Sequence, residues 1–530
     1  MSTKRVARIF GLAFVATCAL LPHARAEAQT PQVRMRWQDF VSGPDGAKRL
    51  ASLQSAIAKM KSLDSSPQDS ADYRRSWQYW ANIHGYYGPT SHDGTVAQQI
   101  QWLQQNGLGQ YVSYYNGITD QTVPDSIAQT VWATCQHSGQ TQALNFFGWH
   151  RMYLYYYERV LRWASGDDTL RLPYWDYTDP TQEALPADFR TTTASIFDAR
   201  RDPGMNLGSS TLDPNSTDIN DLLSGTDYFK YESSIEEGVH GYVHCTVGPT
   251  CPVAHMGDVP VAGNDPVFYS HHANIDRMWA CWQQLHGTPA GTWQDQEFSF
   301  VDETGTLQTK PVKNFVDSTP LGYVYDNVSE CSRPAAVASL ESFKATPSPA
   351  TPSGQEKKTA MISSLKGVAI NQPVTSVDLA VPSPKLKGAL KNLEKPGNVE
   401  LVLNDITAES PPGVLFHVYL VKKSDPGQRQ HVGTISWFGA FGGHHNIARG
   451  PAKKTLRFDV TDELRTLGGD VASSGLSVVI EATDGRVTSD PAKTDELRQA
   501  ASAKFRAEAK VKIGSIELRA VPPPQTPPKK

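Results

Sequence analysis

The chain has 530 residues, with 54 acidic and 50 basic side chains and a formal net charge of −4. That length holds two or three domains, each with its own core. The near balance of charge, without a basic block, argues against a nucleic-acid partner.

Residues 1–26 read as a secretory signal. Lys4, Arg5 and Arg8 precede the apolar run 9–21, and Ala24-Arg25-Ala26 offers a small-residue cleavage site. The apolar run is too short to span a bilayer, so the expectation is export, periplasmic or secreted, with no stable membrane anchor. Residues 34–80 carry helical periodicity and lead through YRRSWQYWANIHG to His84. A polar and aromatic insertion, roughly 86–130, separates His84 from His137. GWHRMYLYYYERVL places His150 at the head of an amphipathic helix over 150–165, with Gly166 as its stop. LPYWDYTDP (172–180) and a loop-rich stretch (181–230) lead to a helix bearing His240 and His244. A further helix is expected from about 266 to 286. ATPSPATPSGQEKK (345–358) has linker composition. Beyond it the apolar period falls to two, in NVELVLNDI, VLFHVYLV, HVGTISWFGAF, TLRFDVT, LSVVIEA and VKIGSIELRAV, which predicts a β-sandwich.

The expected division is a signal (1–26), a mainly α domain (27–344) whose helices form a four-helix bundle, a linker (345–358), a C-terminal β-sandwich (359–520) and a disordered tail (521–530).

Histidine spacing carries the chemistry. His240 and His244 are four residues apart, so both imidazoles share one helix face. HHANIDRMW (271–279) supplies a third ring. His84 in ANIHG, His137 in TCQHS and His150 in GWHR form another set in the N-terminal half. Two trios of imidazoles suit copper, zinc, iron or nickel better than calcium or magnesium.

At these residues the chain resembles the type-3 dicopper family of tyrosinases, catechol oxidases and haemocyanins. DPVFY (265–269), Asn274, Asp276 and Arg277 are part of the same signature. The resemblance covers roughly 34–330, and the C-terminal strands resemble the tail of plant polyphenol oxidases in pattern. It implies two copper ions per chain. His84, His137 and His150 would hold the first; His240, His244 and His272 would hold the second. It implies a thioether between Cys135 and His137, with Cys245–Cys251 and Cys281–Cys331 as candidate disulfides, one of the three pairings that four cysteines allow. Glu236 is the expected catalytic carboxylate, holding a water near the metal. Val259 stands at the gate over the second copper and Gly241 at a pocket position where some relatives have asparagine. Gly322-Tyr323-Val324-Tyr325 resembles the motif that closes the domain against an arginine, here Arg34. SWFGAF, with Trp437, Phe438 and Phe441, is a candidate plug from the tail, with an ordinary sandwich-core strand as the alternative.

The implied activity is tyrosinase-type: O2-dependent hydroxylation of monophenols and oxidation of o-diphenols to o-quinones. Its partners would be phenolic and catecholic small molecules and O2, with oligomeric state left open. Catechol oxidase and o-aminophenol oxidase remain as alternatives, and a haemocyanin-like oxygen carrier as a reading from another class.

Overall fold

The computed structural model describes residues 31–138, 145–253, 255–328, 360–380, 399–441, 453–468 and 471–521, and the single positions 384 and 388. The signal, the 345–358 linker, Cys331 and the tail beyond Val521 lie outside the described residues.

Four helical segments carry the histidines. Helix α1 (Trp77–His84) starts at Ser76, whose hydroxyl accepts from the Tyr79 amide, and it is buried along nearly its whole length. Helix α2 (Phe146–Ser165) ends where Gly166 adopts φ +68°, a left-handed value that glycine reaches without a Cβ penalty. A helix at Tyr228–Ile235 runs through one π turn, Glu236–His240, into α3 (Gly241–Val247). Such a turn inserts one extra residue into the helical ladder and is frequent at functional sites. Helix α4 (Val267–His286) is buried from Val267 through Trp279.

A buried ionic hub locks these helices. Asp276 on α4 accepts from Arg151 Nε of α2 at 2.5 Å, from Arg34 Nη1 at 3.3 Å, and from the Tyr323 and Tyr325 hydroxyls at 2.8 and 2.6 Å. Arg34 also bonds Glu158 at 2.8 Å and lies over the Tyr323 ring at 3.6 Å. Strand Gln32–Arg34 pairs in parallel with Tyr323–Tyr325, so the hub joins both ends of the helical region. Arg277 reaches Asp176 at 2.7 Å and so anchors the 172–180 run to α4. With several donors satisfying each charge, the hub tolerates burial.

Among the described residues, the C-terminal region has two four-stranded antiparallel sheets. The strands are β1 (Ala360–Ile370), β2 (Val374–Leu379), β3 (Val399–Thr407), β4 (Leu415–Lys422), β5 (Asp425–Ile435), β6 (Lys454–Asp459), β7 (Leu476–Thr483) and β8 (Val511–Ala520). The sheet orders are β5-β4-β7-β2 and β6-β3-β8-β1. Strands β1 and β2 and the helix Pro491–Lys504 were not expected from the periodicity. The exposed helix alternates too weakly for a face pattern, although Asp490 and Pro491 mark its start. HVGTISWFGAF divides at Ile435: β5 ends there, and Trp437–Ala440 turns away from the sheet.

The β region is fastened to the helical region. Thr211–Leu212 pairs with Arg486–Val487, Arg486 bonds Asp202 at 2.7 Å, Lys454 bonds Glu237 at 2.7 Å, and Tyr242 donates to the Gly485 carbonyl at 2.6 Å. Among the described residues no helix is long and apolar enough to cross a membrane.

Candidate metal centre

The two trios face each other across the bundle. His240 sits at the end of the π turn, His244 one turn on in α3, and His271 and His272 on α4. One donor atom from each of these four lies within 4.8 Å of the others. Opposite them, His84 ends α1, and His150 stands in the first turn and a half of α2. The His150 and His272 rings stack at 4.4 Å, and the His244 and His272 Nε2 atoms are 3.4 Å apart.

Backbone carbonyls orient these rings. His84 Nδ1 faces the Val259 carbonyl at 3.1 Å, His150 Nδ1 that of Phe146 at 2.7 Å, His240 Nδ1 that of Glu236 at 3.1 Å, and His244 Nδ1 that of Met256 at 2.7 Å. A carbonyl only accepts, so each Nδ1 carries the proton and each Nε2 presents a lone pair inward. His240 Nε2 is buried with no hydrogen-bond partner. Burial, then repulsion from neighbouring imidazoles, holds His84 down to about 3 and His150, His240, His244 and His272 well below the usual range. Neutral imidazoles converging through bare nitrogens fit borderline metal ions such as copper.

His271 Nδ1 lies 2.8 Å from the Tyr177 hydroxyl, and its buried Nε2 belongs to the same four-ring group as His240, His244 and His272. Its stacking on His240, at 5.5 Å between ring centres, helps fix that ligand's plane.

His137 and Cys135 are placed differently from the expectation. Cys135, rather than His137, forms the close group with His84 and His150, and its Sγ lies 3.7 Å from His150 Nε2. Cys135 is a free thiol in the structure. His137 Nδ1 faces Glu236 Oε1 at 2.6 Å, while Ser138 donates both its amide, at 2.5 Å, and its hydroxyl to Oε2. Burial disfavours the charged His137 ring, but Glu236 outweighs it and the pKa is raised. Both Glu236 oxygens are therefore engaged by residues 137–138. The physical reason is strong: a buried carboxylate takes whatever donors lie within reach. Residues 139–144, which follow His137, lie outside the described residues.

Val259 contributes its carbonyl to His84, as above, and its side chain is buried. A disulfide joins Cys245 to Cys251 beside His244. Cys281 is disulfide-bonded as well, and Cys331 falls outside the described residues.

The tail reaches the site. The Phe438 ring stacks on His244 at 3.9 Å, with 10° between planes, and stands edge-on to His240 at 5.4 Å. Gly241 makes room for this: a Cβ there would stand 2.5 Å from Ser436 Oγ. Phe441 instead packs against Trp102 and Trp437. The orienting carbonyls were invisible in the sequence, because any residue supplies one. Tyr177 was present in the 172–180 run, but nothing local joined it to His271.

Fold and site thus define a protein with a helical, imidazole-lined two-cluster pocket covered by a β domain. Residues 74–213 and 197–285 match the common central domain of tyrosinase. The latent chloroplastic polyphenol oxidase of Prunus armeniaca is 27% identical over 389 residues, covering 65% of this chain and 62% of that protein. Polyphenol oxidase II of Ipomoea batatas is 33% identical over 223 residues, covering 34% of this chain and 38% of that one. The chain thus aligns with under two thirds of the length of these relatives. In fold, a recombinant latent aurone synthase (polyphenol oxidase) superposes with a TM-score of 0.56 and 20% identity, covering 94% of this chain and 91% of that one. Residues 74–285 thus match the tyrosinase central domain, and over a longer span the chain is similar to polyphenol oxidases.

Proposed function

We propose that the protein is an exported phenol oxidase that uses O2 to oxidise o-diphenols to o-quinones and to hydroxylate monophenols. The observation that carries this is the convergence of unprotonated Nε2 atoms of His84, His150, His240 and His244, from α1, α2, the π turn and α3, on one buried space beside His272. Two copper ions bound there would supply the O2 and electron-transfer chemistry. His84 and His150, completed by His137, would hold one; His240, His244 and His272 would hold the other.

The chain's own residues do the rest. The four carbonyls preset the ligand tautomers, so no reorientation is needed when metal enters. Tyr177 and His271 fix the plane of His240. Glu236 holds the His137 ring through Oε1 and Ser138 through Oε2, and its carboxylate is the group that would take up and return a phenol proton. The Cys245–Cys251 bridge braces the segment that carries the Met256 carbonyl. The domain division at 345–358 makes the C-terminal region a removable cover, and residues 1–26 direct export.

Catechol oxidation without monophenol hydroxylation is the second reading. It is favoured by Gly241, which offers no side chain to a water beside Glu236, and by the engagement of both Glu236 oxygens.

The test is O2 uptake by copper-loaded protein with L-tyrosine, L-DOPA and catechol, before and after limited proteolysis at 345–358. Turnover of all three supports the first reading, and of the diphenols alone the second. Silence with every substrate after cleavage, at two coppers per chain, would overturn both.

A further inference from the structure

A second histidine cluster lies away from the copper pocket, in the seam between the helical and β regions. Asp213 follows the short strand Thr211–Leu212 of the helical region, His417 lies on β4 and His431 on β5. One donor atom from each lies within 4.8 Å of the other two. We propose that Asp213, His417 and His431 form a divalent-cation site, best suited to zinc, that staples the β domain onto the helical domain.

Geometry supports this. His417 Nδ1 and His431 Nε2 are 3.1 Å apart. Two nitrogens each ~2.05 Å from one tetrahedral ion must stand about 3.3 Å apart. Asp213 Oδ1 accepts from the Asn215 amide at 3.0 Å, and Oδ2 accepts only a long 3.5 Å bond from Ser216 and stands 3.6 Å from His417 Nε2, so a small swing of the carboxylate toward Nδ1 would complete the set around one ion. Two imidazoles and one carboxylate are a zinc donor set with a fourth position open to water. The set is too nitrogen-rich for calcium or magnesium.

The surroundings suit an ion. Asp213 and His417 are buried, and burial holds both imidazoles in the neutral, coordinating form. Thr434 Oγ1 lies 2.9 Å from His417 Nδ1 and 2.7 Å from Ser216 Oγ, a hydroxyl pair that already crosses the seam. A cavity of about 250 Å³, lined in part by Ser216, His431, Thr434 and Tyr242, adjoins the cluster and gives an entry path. Nearby, Arg429 is bound to Glu481 at 2.7 Å, so its positive charge is offset rather than aimed at the incoming cation.

The location gives the ion a consequence. His431 is on β5, and the chain continues from β5 directly to Phe438 on His244. Tyr242, next to His240 and Gly241, accepts from the Asp213 amide at 2.6 Å. An ion held by all three ligands must be lost before β5 can lift, so zinc opposes uncovering of the copper pocket.

The test uses full-length, copper-loaded protein. It is incubated with zinc chloride and desalted, and both metals are counted by mass spectrometry. The expected result is one zinc per chain with copper unchanged. His431→Ala and Asp213→Asn should lose that zinc; the latter keeps Oδ1 for its turn. Zinc at 100 times its Kd should lower the population of tail-open molecules about 100-fold, read as the rate of amide hydrogen exchange in β4 and β5, with no such change in His431→Ala. Zinc retained equally by the wild type and both variants, absent from all of them, or taken up only by displacing copper overturns the proposal. None of these outcomes bears on phenol oxidation, so the two readings fail separately.

Discussion

Phe438→Ala should unplug the site without detaching the tail. In the closed chain the ring lies flat on His244 at 3.9 Å and is 7% exposed. Burying a phenylalanine side chain is worth about 1.5–3 kcal/mol, and a well-placed aromatic pair adds ~0.5–1.5 kcal/mol. Truncation therefore removes roughly 2–4 kcal/mol from the closed state. At 1.4 kcal/mol per decade, that shifts the opening equilibrium by about 30- to 700-fold. The Lys454–Glu237 and Arg486–Asp202 pairs remain and keep the domains together. Catechol-dependent O2 uptake by the uncleaved variant should rise at least tenfold, and subsequent cleavage at 345–358 should add correspondingly less. Calorimetry on the same samples separates this from general unfolding of the β domain. If the variant stays as inactive as the wild type while cleavage still activates it, Phe438 is not what covers the pocket.

Two stability predictions follow from buried acids. Asp276→Asn leaves Arg151 and Arg34 without the charge they share, and breaking a buried pair this way costs about 3–5 kcal/mol. Urea unfolding should show that loss, and a change below about 1 kcal/mol would refute the hub's role. Glu232 is fully buried, accepts from the Phe147 amide at 3.1 Å, and is raised to about 8, mainly by burial. A folded pKa above the unfolded value near 4.3 means its contribution is fully present at low pH and is lost as pH rises toward 8. Glu232→Gln should therefore gain on the wild type by up to ~1.4 kcal/mol per pH unit between about 5 and 8. Parallel unfolding curves across that range would show that Glu232 is not held protonated.

The histidine centre was legible in part because helical spacing is local. His240 and His244 share a face by arithmetic alone, and HHANIDRMW needs only one helix to present His272. The strand pattern after 398 was legible for the same reason, since period two survives without knowing the partner strand. His137 was not, because it lies in no regular element and its direction depends on Glu236, 99 residues away. The choice between SWFGAF as core strand or plug also lay beyond local pattern, because an aromatic run reads the same in either place.

The sequence by itself determined the histidine-bearing helices, most of the C-terminal strands, the two-part architecture and which imidazoles were available, since these follow from periodicity and residue chemistry along the chain. Only the tertiary structure decided which ring nitrogens face inward, that Cys135 rather than His137 stands beside His150, that Phe438 covers His244, and that Asp213 meets two histidines of another domain. Those are contacts between residues far apart in the chain. Such contacts are set by packing and by the need of buried polar atoms for partners, and no local pattern encodes them.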